Sequence, residues 1–429
     1  MRISTVQAFS NGVSGLQNNY SNSTRTQEEI SKGKKILTPA DDPVASVRLL
    51  QISQEEALNG QYKTGMTAAK NSLASEEAIL TSVENVITRL REIAIQAGNG
   101  TLDSTDRAAM AKEVAQREDE LMNLMNSKDA SGKYLFSGSM GDTQPYVRNP
   151  NGTYTYQGDE GQRSVQIASS TFLAINDSGK AVFEDIPNAN RVSTGAASSN
   201  SGSARISLGV VEDRFAYDQS FPDSVPPVAS DGIGIRFLND KDYVVYDLAN
   251  EPDWSSYDPD SPPEEQLSAA SLSSNPTASD FIRYGGVKVQ VNGEPAAGDV
   301  FTIKRDPSSE KRSLLNTVSD LRKALESTEN TTEGSYSVRD KAAVALSNFD
   351  VAYSQVDATR GKIGARLNTV DTTQQFIDDV SLVNKSVKSD LEDLDYVEAL
   401  ARLSLQSTVL QASQQSYVKI AGLSLFNYL

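Results

Sequence analysis

The stretch Ala342-Ala-Val-Ala-Leu346-Ser-Asn-Phe349-Asp-Val-Ala-Tyr353-Ser-Gln-Val356-Asp-Ala-Thr-Arg360-Gly-Lys-Ile363 sets a stripe of mostly apolar positions at alternating steps of four and three residues, and Leu367, Val370, Gln374 and Ile377 continue it. That alternation is the heptad spacing, which turns one stripe of a helix toward a partner helix. Beyond Ile377 the register slips to Val380, Val383, Val387, Leu391, Leu394, Val397, Ala401 and Leu405. A three-residue shift overwinds a coiled coil locally, so the slip is a candidate boundary between two helical domains. A helix running unbroken over residues 337–421 would extend about 130 Å at ~1.5 Å per residue. No globular core is that wide, and the stripe therefore predicts a rod that needs partner helices.

The partners are expected in the N-terminal third. Leu58, Tyr62, Gly65, Ala69, Ser72, Glu76, Ile79, Val83, Val86, Leu90, Ile93 and Ala97 repeat the same alternation, weak at its start and strongly apolar from Ile79 onward. Leu73, Leu80, Ile87 and Ala94 add a flanking row at spacing seven, broadening the buried stripe. Gly98-Asn99-Gly100 is expected to stop this helix, because glycine takes the left-handed conformation of a C-terminal cap. Asp103 or Ser104 is placed to cap the next helix, whose stripe runs Met110, Val114, Arg117, Leu121, Leu124. At the start of the chain, Ile3, Val6, Phe9, Val13, Leu16 and Tyr20 form a further helical stripe backed by Ser, Thr, Asn and Gln. A helix of that kind gains its stability from packing.

Proline divides the chain: 13 of 15 lie between Pro145 and Pro307, and residues 44–144 and 308–429 have none. Proline costs about 3 kcal/mol inside a helix, so both arms are free to be helical. The middle has strand patterns instead, at Thr153–Tyr156, Ser164–Ile167, Ile233–Phe237, Tyr243–Tyr246, Val287–Val291 and Val300–Ile303. The pair around Asn239–Asp242 and the pair around Asn292-Gly293 are both expected as hairpins. The fold class is therefore mainly α with an inserted β-rich domain: long N- and C-terminal helices pair into a coiled-coil rod, and a central β head is inserted. Expected domains are 1–43 with 385–429, a terminal helical domain disordered in the monomer; 44–145 with 308–384, the helical rod; and 146–307, the β-rich head.

Composition removes most chemistry. The chain of 429 residues has neither histidine nor cysteine, so imidazole catalysis, Ser-His-Asp triads, thiolate nucleophiles and the common zinc sites are excluded. Its net charge of −17 opposes nucleic-acid binding, which needs clustered positive charge. The longest apolar run is Ala342–Leu346, against about 20 residues for a membrane span and roughly 7–15 for a signal-peptide core; neither is expected. Gly60 and Gly65 share the glycine spacing of a phosphate loop, but Met66 stands where the lysine belongs. Residues 212–265 hold 14 acids and three bases. Asp253, Asp258 and Asp260 lack the glycine and glutamate that a calcium loop requires, so this is read as a solvated acidic face. No catalytic, cofactor or metal residues are assigned. Arg89, Leu90, Arg91 and Ile93 are either a helix edge or contacts to a neighbouring subunit.

Several segments resemble one family. Gln27-Glu-Glu-Ile-Ser-Lys-Gly-Lys-Lys-Ile36 running into Pro39-Ala-Asp-Asp-Pro43, Ile87–Ala97 with Gly98–Thr101, Asp129–Gly138, Arg360–Ala365 and Asp390–Ala399 are similar to flagellins and their hook-associated relatives. Met1-Arg-Ile-Ser-Thr5, the end Ser424-Leu-Phe-Asn-Tyr-Leu429 and Gly285–Phe301 resemble the hook–filament junction members more than filament flagellin. The resemblance implies a non-enzymatic adaptor of the bacterial flagellum. It would form a ring of identical subunits between hook-associated protein 1 and flagellin, and would be exported through the flagellar secretion channel without a cleaved signal. A cytoplasmic chaperone would bind its C-terminal region. The assembly residues expected from the stripes are Ile3, Val6, Phe9, Val13, Leu16, Tyr20, Leu394, Val397, Ala401, Leu405, Leu423, Leu425, Phe426 and Leu429. Filament flagellin itself, a secreted adhesin or enzyme using the acidic head, and a coiled-coil scaffold that stays inside the cell are the alternatives.

Overall fold

The computed structural model describes residues 5–99, 102–221, 232–273 and 280–426; side chains of 5, 6, 8 and 420–426 fall outside the description. In chain order come α1 (Thr5–Lys32), α2 (Pro43–Ala97) and α3 (Ser104–Met125), then the strands β1 (Tyr146–Arg148), β2 (Tyr154–Tyr156), β3 (Ser164–Ala168) and β4 (Thr171–Ala174). After a π-helical turn at Lys180–Glu184 follow β5 (Val192–Ala196), β6 (Arg205–Ile206), β7 (Val210–Val211), α4 (Arg214–Ser220), β8 (Gly232–Phe237), β9 (Asp242–Asp247) and β10 (Gln266–Ser271). The chain continues through β11 (Asp280–Tyr284), β12 (Val287–Asn292), β13 (Val300–Arg305), α5 (Leu314–Ser327), α6 (Thr332–Glu392) and α7 (Tyr396–Phe426). It is a helical protein with a β-rich insertion, as the periodicity predicts.

Two compact units result: Met1–Met66 with Gln166–Thr171 and Asp371–Leu429, and Thr67–Val165 with Phe172–Val370. In the larger unit, the apolar seams are spent on a helical core. Val83, Val86, Leu90 and Ile93 of α2, with the flanking Leu73, Leu80 and Ile87, are at most 3 % exposed, as are Phe349, Val356, Ile363 and Val370 of α6. Helix α3 packs on α5, and Val114 and Leu121 of the one and Val318 and Leu321 of the other are all fully buried. Asp103 caps α3, accepting from Thr105 N at 2.7 Å and Asp106 N at 2.8 Å. Helix α2 does end at Ala97, but Gly98 N still donates to Ala94 O in helical fashion. Gly98 has no positive φ, so it is not the left-handed cap expected, and Gly100 lies outside the described residues.

The same unit carries a β sandwich. One antiparallel sheet has the order β10-β9-β8-β13-β5, and the other joins β11, β12 and β6, with β7 also on β12. Alternate residues point inward, as the two-residue period of a strand requires. Ile233, Ile235, Phe237, Val245, Phe301 and Ile303 of the first sheet share one core with Ile282, Val287, Val289 and Val291 of the second. The β8–β9 pairing expected from the sequence is present, with Ile235 opposite Val245. The hairpin expected at Asn292-Gly293 is not. There β12 leaves one sheet and β13 enters the other, pairing with β8 and β5. The partner of β12 is β11, joined through Gly285 and Gly286 at φ 52° and 72°, the two consecutive positive values that a tight type I′ hairpin demands. The Asp299 carboxylate fixes the crossing, accepting from Ser201 N at 2.8 Å and Ala296 N at 2.9 Å.

In the smaller unit α1 packs along α7. The long C-terminal helix is not continuous: α6 stops at Glu392 and α7 starts at Tyr396, some 15 residues beyond the slip at Ile377. Asp395 restarts it as an N-cap, accepting from Val397 N at 2.9 Å and Glu398 N at 3.2 Å.

Candidate functional site: the terminal helix pair and its turn

Helix α1 is held on α7 by a narrow, mostly polar seam. Phe9 meets Tyr417 with ring centroids 5.3 Å apart, and Asn19 Nδ2 donates to Ser413 Oγ at 3.1 Å. Nearer the turn the contacts become ionic: the nearly buried Glu29 receives Arg402 Nη2 at 2.6 Å. The outer face stays apolar. Val397 is 81 % exposed, Leu405 66 %, Val418 68 % and Tyr20 65 %. Of the α7 positions near its start, Ala399 is buried, so the stripe of Val397, Ala401 and Leu405 faces away from α1. Val13 and Leu16 are half-buried, and Leu394 likewise. Ile3 and Leu429 lie outside the described residues, as do the side chains of Val6, Leu423, Leu425 and Phe426.

The turn after α1 locks onto the α6–α7 break. Gly33 takes φ 68°, which an L side chain adopts only at a cost, and its carbonyl accepts from Leu394 N at 3.1 Å. Lys35 N donates to Glu392 O at 2.8 Å, Lys35 Nζ to Asp390 O at 2.7 Å, and Lys34 pairs with Glu392. Asp41 organises the rest of the turn. Its carboxylate accepts from Leu37 N and Thr38 N, each at 2.9 Å, and pairs with Arg25 at 2.5 Å. Those backbone donors, Thr38's foremost, hold its pKa down at about 2. Asp42 then caps α2 through Ala45 N at 2.9 Å and Val44 N at 3.1 Å, with Pro43 at the first helical position, where its missing N–H costs nothing. The Lys-Gly-Lys-Lys and Ala-Asp-Asp-Pro runs thus build one joint where α1, α2 and the α6–α7 break meet. Beside it a groove of about 590 Å³ is lined by Ile36, Leu37, Pro39, Val47 and Leu50 among others; Val44, Val47 and Leu50 are all more than half exposed.

The other candidates divide. Leu90 and Ile93 are 0 % and 1 % exposed; they are spent on the chain's own core and offer nothing to a neighbour, a correction to their reading as subunit contacts. Arg89 bonds Glu113 Oε1 and Glu92 Oε2, each at 2.6 Å, and Arg91 pairs with Asp350 at 2.5 Å, both guanidinium groups staying partly exposed. In the acidic loop, Asp253 accepts from Ser255 N and Asp258 from Asp260 N, so these carboxylates shape local turns. Among the described residues no three metal-ligating side chains converge, and no helix is long and apolar enough to cross a membrane.

The fold and this site define a class: a structural helical protein that keeps apolar terminal faces and carries an inserted β sandwich. Family models agree. The bacterial flagellin N-terminal helical region matches residues 3–140 and the bacterial flagellin C-terminal helical region matches 346–429. The chain belongs to the flagellin family. It is 34 % identical over 186 residues to flagellar hook-associated protein 3 of Salmonella typhimurium, covering 43 % of this chain and 58 % of that protein. The chain thus matches less than two thirds of that relative's length. The crystal structure of flagellar hook-associated protein 3 from Legionella pneumophila superposes with a TM-score of 0.63 at 28 % identity, covering 80 % of this chain and 98 % of that one. The flagellar junction protein of the same organism gives 0.61 at 28 % identity, over 81 % and 100 %.

Proposed function

We propose that this chain is a structural junction protein of the bacterial flagellum, joining the hook, through hook-associated protein 1, to the flagellin filament. It acts by burial: copies arranged in a ring cover the apolar terminal faces of their neighbours, and no bond is made or broken. The similarity to hook-associated protein 3 supports the placement. The observation that carries the mechanism is the outer face of α7, where Val397, Leu400, Leu405 and Val418 are 54–81 % exposed. Full burial is worth about 1.5–3 kcal/mol for each such side chain, so four contribute on the order of 8 kcal/mol before ordering costs. Placement outside the cell, export through the flagellar channel and a chaperone on the C-terminal region belong to the same reading. Exposed apolar helices need a keeper before assembly.

The test is Val397→Asp with Leu405→Asp in one chain. Because neither side chain packs on α1, the purified variant should keep the far-UV helical signal and melting temperature of the parent. In flagellated cells it should be exported at parental levels, while flagellin is shed as monomer into the medium. Full-length filaments on cells carrying this variant would overturn the burial mechanism.

A further inference from the structure

Glu76 sits in the middle of the α2 seam at 0 % exposure, where a coiled-coil stripe has an apolar residue. Its Oε1 accepts from Asp177 N at 3.0 Å. Its Oε2 is buried with no hydrogen-bond partner. A buried carboxylate with an idle oxygen is costly as an anion and far less so when that oxygen carries a proton.

The groups facing it do not supply the missing positive charge. From the 175–178 segment comes a second acid, Asp177, whose oxygens are already held by Arg366 of α6 at 2.8 and 2.9 Å and by Gln162 at 2.7 Å. Arg163, just before β3, pairs with Asp129 at 3.3 Å. The cluster therefore sets three acids, Glu76, Asp177 and Asp129, against two bases, Arg366 and Arg163. One acid has no counter-charge, and Glu76 is the one without an ionic hydrogen bond.

We propose that Glu76 is a proton-operated latch: protonated, it clasps the 175–178 segment between α2 and α6, and its ionisation releases that segment. Ser72 Oγ donates to Ile175 O at 2.9 Å one turn earlier on α2, and Asn176 Nδ2 reaches Leu135 O and Gly138 O. The released segment is thus a defined piece of chain with its own hydrogen bonds to lose. Burial first, then the Asp177 charge, pushes the Glu76 pKa up to about 8, with the Asp177 N–H, Arg366 and Arg163 opposing. The closed form accordingly binds a proton that the open form, near an ordinary carboxylate value, has released. The stabilisation is complete below about pH 4.5 and is lost as pH rises through about 8. Between those limits the opening equilibrium grows about tenfold per pH unit and then levels off. This latch goes beyond the junction reading and stands without it.

Hydrogen exchange on the full chain, expressed as protection factors corrected for intrinsic rate, reads the latch at the amides of residues 175–179. Protection in the parent should fall about tenfold per unit from pH 6 to 8 and flatten above. Glu76→Gln, neutral at every pH, should hold protection constant and melt several degrees above the parent at pH 8.5 while matching it near pH 4.5. Glu184 on the neighbouring turn is also pushed up by burial, to about 7, so Glu184→Gln is the control and should leave the Glu76-dependent fall in place. Flat parental protection from pH 6 to 9, or the same fall in Glu76→Gln, overturns the latch. Should Glu76→Gln not fold, the side-chain carboxyl ¹³C shift of Glu76 in the parent decides: a midpoint above pH 7 supports the latch and one below 5.5 overturns it.

Discussion

Gly33 concentrates the constraints of the joint in one backbone position. Its φ of 68° is left-handed, and a Cβ built there would sit 2.9 Å from Tyr396 Oη. Gly33→Ala should therefore cost about 1–2 kcal/mol for the backbone alone, plus whatever the hydroxyl contact adds. Tyr396→Phe in the same chain should restore the second part and leave the first, which urea unfolding of the four combinations separates. Were Gly33→Ala as stable as the parent, the left-handed turn would not be what seats Gly33 O under Leu394 N. The resemblance to flagellins picked out Lys32-Gly33-Lys34 as a motif, but spacing alone could not say why. The reason is a partner some 360 residues further along the chain, and no local pattern reports that. Glu76 was legible as a flaw in the seam; its pairing with Asp177 was not, because the segment after β4 carries no periodicity.

At the scale of elements, heptad spacing gave the helices of the core because burial repeats where the helix turns. It failed at the break. The slip after Ile377 does not interrupt α6, which continues to Glu392; the partly buried Ser381, Asn384 and Lys388 keep the earlier register, and Val383 is left 60 % exposed. The interruption is made instead by Asp395 as a cap and by the Gly33–Lys35 segment, bridged across it at Lys34 and Asp393. Strands followed the same rule: β8 and β9 are joined by a short turn and were readable, whereas β13 takes β8 and β5 as partners from distant sequence and β12 turns back on β11. Gly285-Gly286 between alternating runs was the overlooked hairpin signal. The break yields its own prediction. Asp395→Ala should cost about 1 kcal/mol by loss of the cap, and Asp395→Ser most of that less. Because Asp395 and Gly33 secure the same joint, Asp395→Ala and Gly33→Ala together should cost less than their separate losses added. Strict additivity in urea unfolding would mean that the cap and the turn act independently.

On the scale of the whole molecule, the β sandwich is a self-contained body with closely spaced ends. Its core is built from Val192 to Ile303. The chain enters and leaves it side by side: Asp306 N donates to Arg191 O at 2.8 Å, and Arg312 N to Ile186 O at 2.9 Å. The segments before it belong to the helical core instead. Tyr154 Oη bonds the buried Glu118 at 2.7 Å, and the fully buried Tyr146 bonds Gly179 O at 2.9 Å. An excision should therefore remove 192–305 and not the whole region from 146. Bridging Arg191 to Asp306 with a two- to four-residue turn keeps every contact of Tyr146, Tyr154 and Asp177, and it removes the whole of the acidic 212–265 stretch. If assembly resides in the terminal helices, the excised chain should keep its helical signal, be exported, and support filaments of at least partly normal length. On the helical side, Asn348 Oδ1 accepts from Ala189 N at 2.6 Å, a bond the excision leaves in place. Normal export and folding with no filaments at all would assign the junction to the sandwich, and the apolar face of α7 would then need another explanation.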